Sequence, residues 1–171
     1  MRRVTGLIQI AVVGAAACDE ETAELARAVG AGLARDGAAL VCGGSSGVME
    51  AACRGAREAG GRTIGVLPGV DAAASPPGDF LDVVLYSGLG EARHLTVVLS
   101  AASVIAIGGG WGTLAEIAAA LKSRVPVVAL RSWNLRRPDG LADPLLAYAR
   151  TPEDAVTLAL RSARRERPVA I

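Results

Sequence analysis

A glycine-rich segment followed by a carboxylate is the part of the chain best suited to chemistry. The segment consists of Gly109, Gly110, Trp111, Gly112 and Thr113, and Glu116 stands three residues beyond it. It follows the apolar run 104–107, which is typical of a buried strand, and it precedes an apolar helical pattern. Glycine-rich backbone at a helix start presents unbonded N–H groups and the positive end of the helix dipole, so it favours an anion such as phosphate. Glu116 would repel that phosphate unless it took part in the function.

A second glycine-rich loop follows the apolar run 38–42 and contains Gly43, Gly44, Ser45 and Ser46. With Gly47 it matches the G-x-S-x-G pattern of the nucleophile elbow in α/β-hydrolases. Those enzymes place their histidine after the last strand, whereas the single histidine of this chain, His94, lies in its middle. We therefore interpret the loop as a second phosphate- or ribose-facing segment, with tight helix packing as the alternative.

Two other classes of phosphate site do not fit the chain. A dinucleotide fingerprint should follow the first strand, but Gly14-Ala15-Ala16-Ala17 lacks the glycines that a pyrophosphate needs. Neither glycine-rich loop is followed by the Gly-Lys-Ser/Thr of a P-loop. A mononucleotide or a sugar phosphate is the better match.

Length and composition favour one nucleotide-binding domain over residues 1–171. Hydrophobic residues make up 51% of the chain, which suits a single sizeable core. A net charge of +1 and an aromatic content of 3% argue against nucleic acid or a membrane surface as the main partner. The sequence shows no secretion signal and no run of about 18 apolar residues, so we expect a cytoplasmic protein. A single histidine and cysteines without C-x-x-C spacing predict no metal site.

Strand-like and helix-like patterns alternate along the chain. The predicted strands are 7–13, 38–42, 63–67, 82–86, 103–107 and 125–130, and helical patterns separate most of them. Nearly continuous apolar strands indicate an α/β fold, a Rossmann-like three-layer parallel sheet with helices on both faces. We expect the strand order 3-2-1-4-5-6, with both glycine-rich loops at the carboxyl edge of the sheet. The segments 68–80 and 131–143 have no periodic pattern.

Together these residues resemble the Lonely Guy (LOG) family, often mislabelled as lysine decarboxylases. Its signature is a helix with Arg-Lys, a strand, and then Pro-Gly-Gly-x-Gly-Thr-x-x-Glu; here Arg93 matches the arginine and Glu116 the final glutamate. The resemblance implies hydrolysis of the N-glycosidic bond of a nucleoside 5′-monophosphate such as AMP, which releases the base and ribose 5-phosphate. Arg93 and Glu116 would be catalytic, the two loops would bind the nucleotide, and no metal or organic cofactor would be needed. Family members are usually homodimers.

The chain departs from that signature at two positions. Gly108 stands in place of the proline and His94 in place of the lysine. The triple-glycine form looks more like a neighbouring branch that includes molybdenum-cofactor carrier proteins, which bind a phosphorylated ligand without turnover. A non-catalytic nucleotide or molybdenum-cofactor carrier is therefore the alternative function. Lysine decarboxylation is not expected, because the single lysine, Lys122, lies two turns beyond the glycine-rich segment.

Overall fold

Apolar runs form the strands of a parallel sheet in the computed structural model, which describes residues 6–164. Within these residues the sheet has seven strands. They are β1 (Gln9–Gly14), β2 (Ala39–Cys42), β3 (Arg62–Leu67), β4 (Val83–Tyr86), β5 (Ser103–Ile107), β6 (Val127–Leu130) and β7 (Leu146–Ala149). The predicted domain 1–171 also includes residues 1–5 and 165–171, which lie outside the described part.

Five α-helices cover the two faces of the sheet within the described residues. They are α1 (Glu20–Arg35), α2 (Val48–Glu58), α3 (Arg93–Ser100), α4 (Trp111–Lys122) and α5 (Pro152–Ala163). Residues of α1, α2 and α5 share one hydrophobic core, and residues of α3 and α4 share the core on the opposite face. The predicted fold class, a three-layer Rossmann-like α/β fold, is therefore confirmed.

Side chains cap the N-termini of the first and the last of these α-helices, α1 and α5. The Asp19 carboxylate accepts a hydrogen bond from the Thr22 N–H at 2.8 Å at the start of α1. The Thr151 hydroxyl accepts one from the Asp154 N–H at 3.2 Å at the start of α5. Such caps satisfy N–H groups that have no partner inside the helix. The N-termini of α1 and α5 therefore have capping partners within the protein.

The strands are arranged in the order β4-β3-β2-β1-β5-β6-β7. This agrees with the predicted 3-2-1-4-5-6 in that β3-β2-β1 is followed by the later strands. The edges differ: segment 82–86, which the prediction counted as the fourth strand, lies beside β3 instead of beside β1. Asp82 holds it there, because its carboxylate accepts hydrogen bonds from the N–H and the hydroxyl of Thr63 at 2.9 and 3.0 Å. The strand β7 was not predicted, since its four residues are too short to show a pattern.

Successive strands are added to the sheet on one side of β1 up to β4 and on its other side from β5 onward. Strands β2, β3 and β4 follow on one side of β1, and β5, β6 and β7 lie on the other. The loops that leave β1, β2 and β5 therefore diverge at the carboxyl edge and open a crevice, which is where ligands bind in such sheets. No helix among residues 6–164 is long and apolar enough to cross a membrane.

Candidate functional site

A cavity of about 390 Å³ lies in this crevice, within the range of small-molecule sites. Three strand ends and the start of α3 surround it. Its lining residues are Gly14, Ala15, Ala16, Gly43, Ser45, Met49, Glu91, Arg93, His94, Gly110, Gly112, Thr113 and Glu116. The cavity thus brings together both glycine-rich loops and both residues proposed for catalysis.

The start of α4 faces this cavity without a side-chain cap. Its first intrahelical bond among the described residues runs from the Leu114 N–H to the Gly110 carbonyl at 3.1 Å. The N–H groups of Trp111, Gly112 and Thr113 precede that bond and lie at the open end of the helix. Unlike α1 and α5, this helix start is left available to an anion.

Two glycines at this helix start are not required by packing. A Cβ atom built on Gly110 or on Gly112 would meet no atom within 4 Å. Neither residue has a positive φ, so an L-amino acid could adopt either backbone conformation. Glycine in a helix costs stability relative to alanine. The space that a side chain would fill is therefore left open at the cavity, which suits close approach by a ligand.

The two preceding glycines, by contrast, are required by the backbone conformation. Gly108 and Gly109 have φ angles of +55° and +101°. Proline is fixed near −65°, so it could not adopt the backbone conformation of Gly108. A Cβ on Gly109 would also lie 2.3 Å from the Thr113 hydroxyl oxygen. The loop conformation here thus differs from one that a proline at position 108 would allow.

The loop after β2 is shaped mainly by packing. A Cβ on Gly44 would lie 2.7 Å from Leu67, and its φ is +70°. The hydroxyl of Ser46 donates a hydrogen bond to the Ala16 carbonyl at 2.8 Å and so joins this loop to the one after β1. Gly43 and Ser45 line the cavity. Of this loop, only Gly43 and Ser45 are therefore placed to contact a ligand, whereas Ser46 binds the backbone of the neighbouring loop.

Arg93 forms one wall of the cavity. Its side chain is 15% exposed, its Nε donates to the Gly43 carbonyl at 3.2 Å, and its Nη1 donates to the Gly90 carbonyl at 3.4 Å. The carboxylate of Glu91 lies 3.4 Å from Nη1 but is almost fully exposed. Among the described residues these bonds engage Nε and Nη1, which leaves the Nη2 donors for a ligand.

Glu116 lies in the second turn of α4 and is half-buried. Burial raises the pKa of Glu116 from its ordinary 4.5 to about 7; the positive charge of Arg93 opposes that rise and Glu91 adds to it. The charge of Arg93 therefore does not keep the pKa of Glu116 at its ordinary value, because desolvation is the larger effect. Near neutral pH this carboxyl can donate a hydrogen bond as well as accept one.

The remaining predicted binding residues lie outside the cavity lining. Gly44, Ser46 and Gly109 support the loops, as described above. Trp111 is 78% exposed, and its ring centroid lies 5.3 Å from that of Trp133. The indole of Trp111 therefore stands on the surface beside the site rather than in it.

Several cavity residues were not predicted from the sequence. Three of them, Gly14, Ala15 and Ala16, lie at and just after the end of β1. Ligands in open parallel sheets bind where the strand order changes side, so the end of β1 could have been predicted as part of the site. Glu91 and His94 reach it from the start of α3, and the His94 Nδ1 lies 2.6 Å from the Glu91 carbonyl oxygen. Among residues 6–164 no three histidine, cysteine or acidic side chains are grouped as a metal site would require.

The fold resembles those of known molybdenum cofactor binding and carrier proteins. A molybdenum cofactor binding protein from Rippkaea orientalis superposes with a TM-score of 0.82 and 34% identity, covering 92% of this chain and 98% of that one. A molybdenum cofactor carrier protein from Chlamydomonas reinhardtii gives a TM-score of 0.80 and 34% identity, covering 94% of this chain and 100% of that one. An uncharacterised protein of Archaeoglobus fulgidus is 38% identical over 156 residues, which are 91% of this chain and 97% of that protein.

The family match agrees with these likenesses. Residues 7–156 match the SLOG cluster4 family, which is related to the LOG family. The resemblance drawn from Arg93, the glycine-rich segment and Glu116 is thereby confirmed, as is its proximity to molybdenum-cofactor carriers. The chain belongs to the SLOG cluster4 family.

Proposed function

We propose that the protein binds a phosphorylated small molecule of the molybdenum-cofactor or nucleotide kind in this cavity and carries it without turnover. The observation that carries the proposal is the uncapped start of α4, where Gly110 and Gly112 leave open space. A terminal phosphate placed there accepts hydrogen bonds from backbone N–H groups and interacts favourably with the helix dipole. Arg93 adds positive charge from the opposite wall.

Two observations favour a carrier over the hydrolase that the sequence first suggested. The solved structures with 34% identity to this chain are described as molybdenum cofactor binding or carrier proteins. The φ of +55° at Gly108 also separates this loop from the proline-containing loop of the hydrolytic LOG signature. The phosphate site itself does not discriminate, because both classes of ligand end in a phosphate.

Hydrolysis of a nucleoside 5′-monophosphate is the second candidate. It is favoured by the presence of Arg93 and Glu116 in one cavity. Cleavage of the N-glycosidic bond builds positive charge on the ribosyl carbon and negative charge on the departing base. Ionised Glu116 would stabilise the first of these charges, and protonated Glu116 would donate its proton to the second.

One experiment separates the two functions. The purified protein is titrated calorimetrically with AMP, and the same mixture is assayed for free adenine and ribose 5-phosphate. Loading with molybdenum cofactor is measured in parallel from the pterin content of the protein after incubation with the cofactor. Cofactor binding and AMP binding without product support the carrier, whereas product that disappears in Glu116→Ala supports the hydrolase. Product that persists in Glu116→Ala excludes the proposed role of this residue.

We also propose that the protein is a homodimer that associates through the α3 face of the sheet. Leu95 and Leu99 of α3 are 44% and 49% exposed, and Val83 and Leu85 of β4 are 44% and 50% exposed. Both strand residues lie on the α3 face, since they pair with Ile64 and Val66, which contact the core beneath that helix.

The opposite face has a different surface. Its helices carry ion pairs such as Arg27–Glu58, with atoms 2.8 Å apart, and Arg54–Glu50 at 2.8 Å. An apolar surface on one face and a charged surface on the other are typical of a protein that buries the apolar face against a second copy.

We also propose a cytoplasmic location. It is compatible with Cys42 and Cys53, whose buried Sγ atoms lie 3.6 Å apart without a disulfide bond, since disulfides are rare in reducing compartments.

A further inference from the structure

The segment that follows β6 binds the backbone of residues 108–110 between β5 and α4, here called the glycine loop. The hydroxyl of Ser132 donates to the Gly108 carbonyl at 2.6 Å. The indole Nε1–H of the next residue, Trp133, donates to the Gly110 carbonyl at 3.1 Å. Two neighbouring side chains from one loop thus bind two alternate carbonyls of another.

The binding segment is itself held in place. Its first residue, Arg131, has a φ of +50°, a conformation that non-glycine residues rarely adopt. The Arg131 guanidinium pairs with Glu21 at the start of α1. The Trp133 ring packs against the hydrophobic core under α4. The donors at Ser132 and Trp133 are therefore anchored to the sheet and to α1.

These two bonds, together with the one that the Gly110 carbonyl accepts from the Leu114 N–H, restrain the direction of the N–H groups in the loop. In a trans peptide unit the carbonyl of one residue and the N–H of the next point in opposite directions. Binding of the Gly108 and Gly110 carbonyls therefore turns the N–H groups of Gly109 and Trp111 away from the β6–β7 segment. Consecutive glycines restrict their own backbone weakly, so the restraint has to come from outside the loop.

We infer that Ser132 and Trp133 are positioning residues that preorganise the glycine loop for the phosphate of its ligand. The inference rests on the proposed function, since it concerns the phosphate end of the same site. A loop that is ordered before binding loses less conformational entropy when the phosphate arrives. Removal of either bond should weaken the phosphate contact and leave the rest of the ligand unaffected.

The test compares AMP with adenosine, which differ only by the phosphate. Ser132→Ala and Trp133→Phe each remove one donor, and phenylalanine retains an aromatic ring beside Trp111. Titration calorimetry should show AMP affinity reduced about 3- to 10-fold for each lost bond, while adenosine affinity stays unchanged. Ser132→Thr, which restores a hydroxyl, should recover AMP affinity.

A control is available in the same segment. The Tyr148 hydroxyl accepts from the Leu135 N–H at 2.9 Å and donates to the Leu135 carbonyl at 3.1 Å, so it stabilises the segment without touching the glycine loop. Tyr148→Phe should therefore leave the AMP-to-adenosine affinity ratio of the wild type intact.

Each outcome has one meaning. Equal losses of AMP and adenosine affinity in Ser132→Ala and Trp133→Phe would show a general structural effect and overturn the inference. An unchanged affinity ratio in both variants would overturn it while leaving the phosphate site standing. A wild-type protein that binds AMP no more tightly than adenosine would overturn the proposed phosphate site and the inference together.

Discussion

Substitution of Glu116 by glutamine should stabilise the protein, and the gain should grow with pH. Burial raises the pKa of Glu116 from its ordinary 4.5 to about 7 in the folded chain. In the unfolded chain the carboxyl recovers its ordinary pKa. The folded state therefore binds more protons than the unfolded state between these two values, so the free energy of unfolding falls as pH rises through that window.

The size of the effect follows from the two pKa values. At about 1.4 kcal/mol per pH unit, the interval from 4.5 to about 7 corresponds to about 3.5 kcal/mol. The stabilising contribution is complete below pH 4.5 and is lost once pH exceeds 7. Glutamine is neutral throughout and has nearly the same shape. Relative to wild type, Glu116→Gln should gain about 2–3 kcal/mol between pH 5 and pH 8.

The assay is urea unfolding of both proteins at pH 5 and at pH 8, with the difference between them taken at each pH so that other titrating groups cancel. Glu20→Gln is the matched control, because Glu20 is exposed at the start of α1 and lies outside the cavity lining, so its charge does not act on Glu116 as that of Glu91 does. The stability difference between this variant and wild type should be much smaller than that of Glu116→Gln. A Glu116→Gln difference that stays constant between the two pH values would refute the argument that this carboxyl is desolvated.

Two further predictions concern the helix start and the apolar face. Gly112→Ala should raise the free energy of unfolding by about 0.5–1 kcal/mol, because no atom lies within 4 Å of the added methyl group. The same methyl group should weaken AMP binding at least about 10-fold, as measured by calorimetry, because it fills the space proposed for the phosphate. The control is Ala118→Gly on the exposed side of the same helix, which should lower stability and leave AMP affinity unchanged; an equal loss of affinity in both variants would contradict the assignment. Leu99→Glu should convert a dimer to a monomer in sedimentation equilibrium with an unchanged circular dichroism spectrum, and a wild-type monomer would exclude the proposed interface.

The sequence was sufficient to predict the fold class and about half of the residues that line the cavity. Long apolar runs separated by helical patterns define a parallel sheet whatever the order of its edge strands, and the carboxyl edge then collects every strand-to-helix loop. Gly112, Thr113 and Glu116 lie on one helix, so their relation was set by local spacing. Arg93 joined them because its helix begins at the same edge of the sheet.

The features that were missed depend on contacts between distant segments. Placement of segment 82–86 at the edge depends on side-chain hydrogen bonds from Thr63 to Asp82, which no periodicity encodes. The support of the glycine loop by Ser132 and Trp133 crosses more than 20 residues and begins at Arg131, whose positive φ no sequence pattern signals. Segment 131–143 shows no periodic pattern because contacts such as those of Ser132 and Trp133 are made to distant backbone atoms and not along a regular helix or strand.

The protonation of Glu116 also bears on the choice between holding a ligand and cleaving it. In the proposed complex the phosphate takes no part in breaking the N-glycosidic bond, so the start of α4 would add to affinity without preferring the transition state. Stabilisation of a positive ribosyl carbon would require ionised Glu116, but burial raises the pKa of this carboxyl to about 7, and a phosphate dianion bound in the same cavity would raise that pKa further. A phosphorylated ligand in this cavity would thus favour the protonated form. If the protein hydrolyses AMP, we expect Glu116 to act as the proton donor, and the rate should then fall as pH increases above 7. A rate that rises with pH would contradict this reasoning and restore the carboxylate to the role that the LOG resemblance implies.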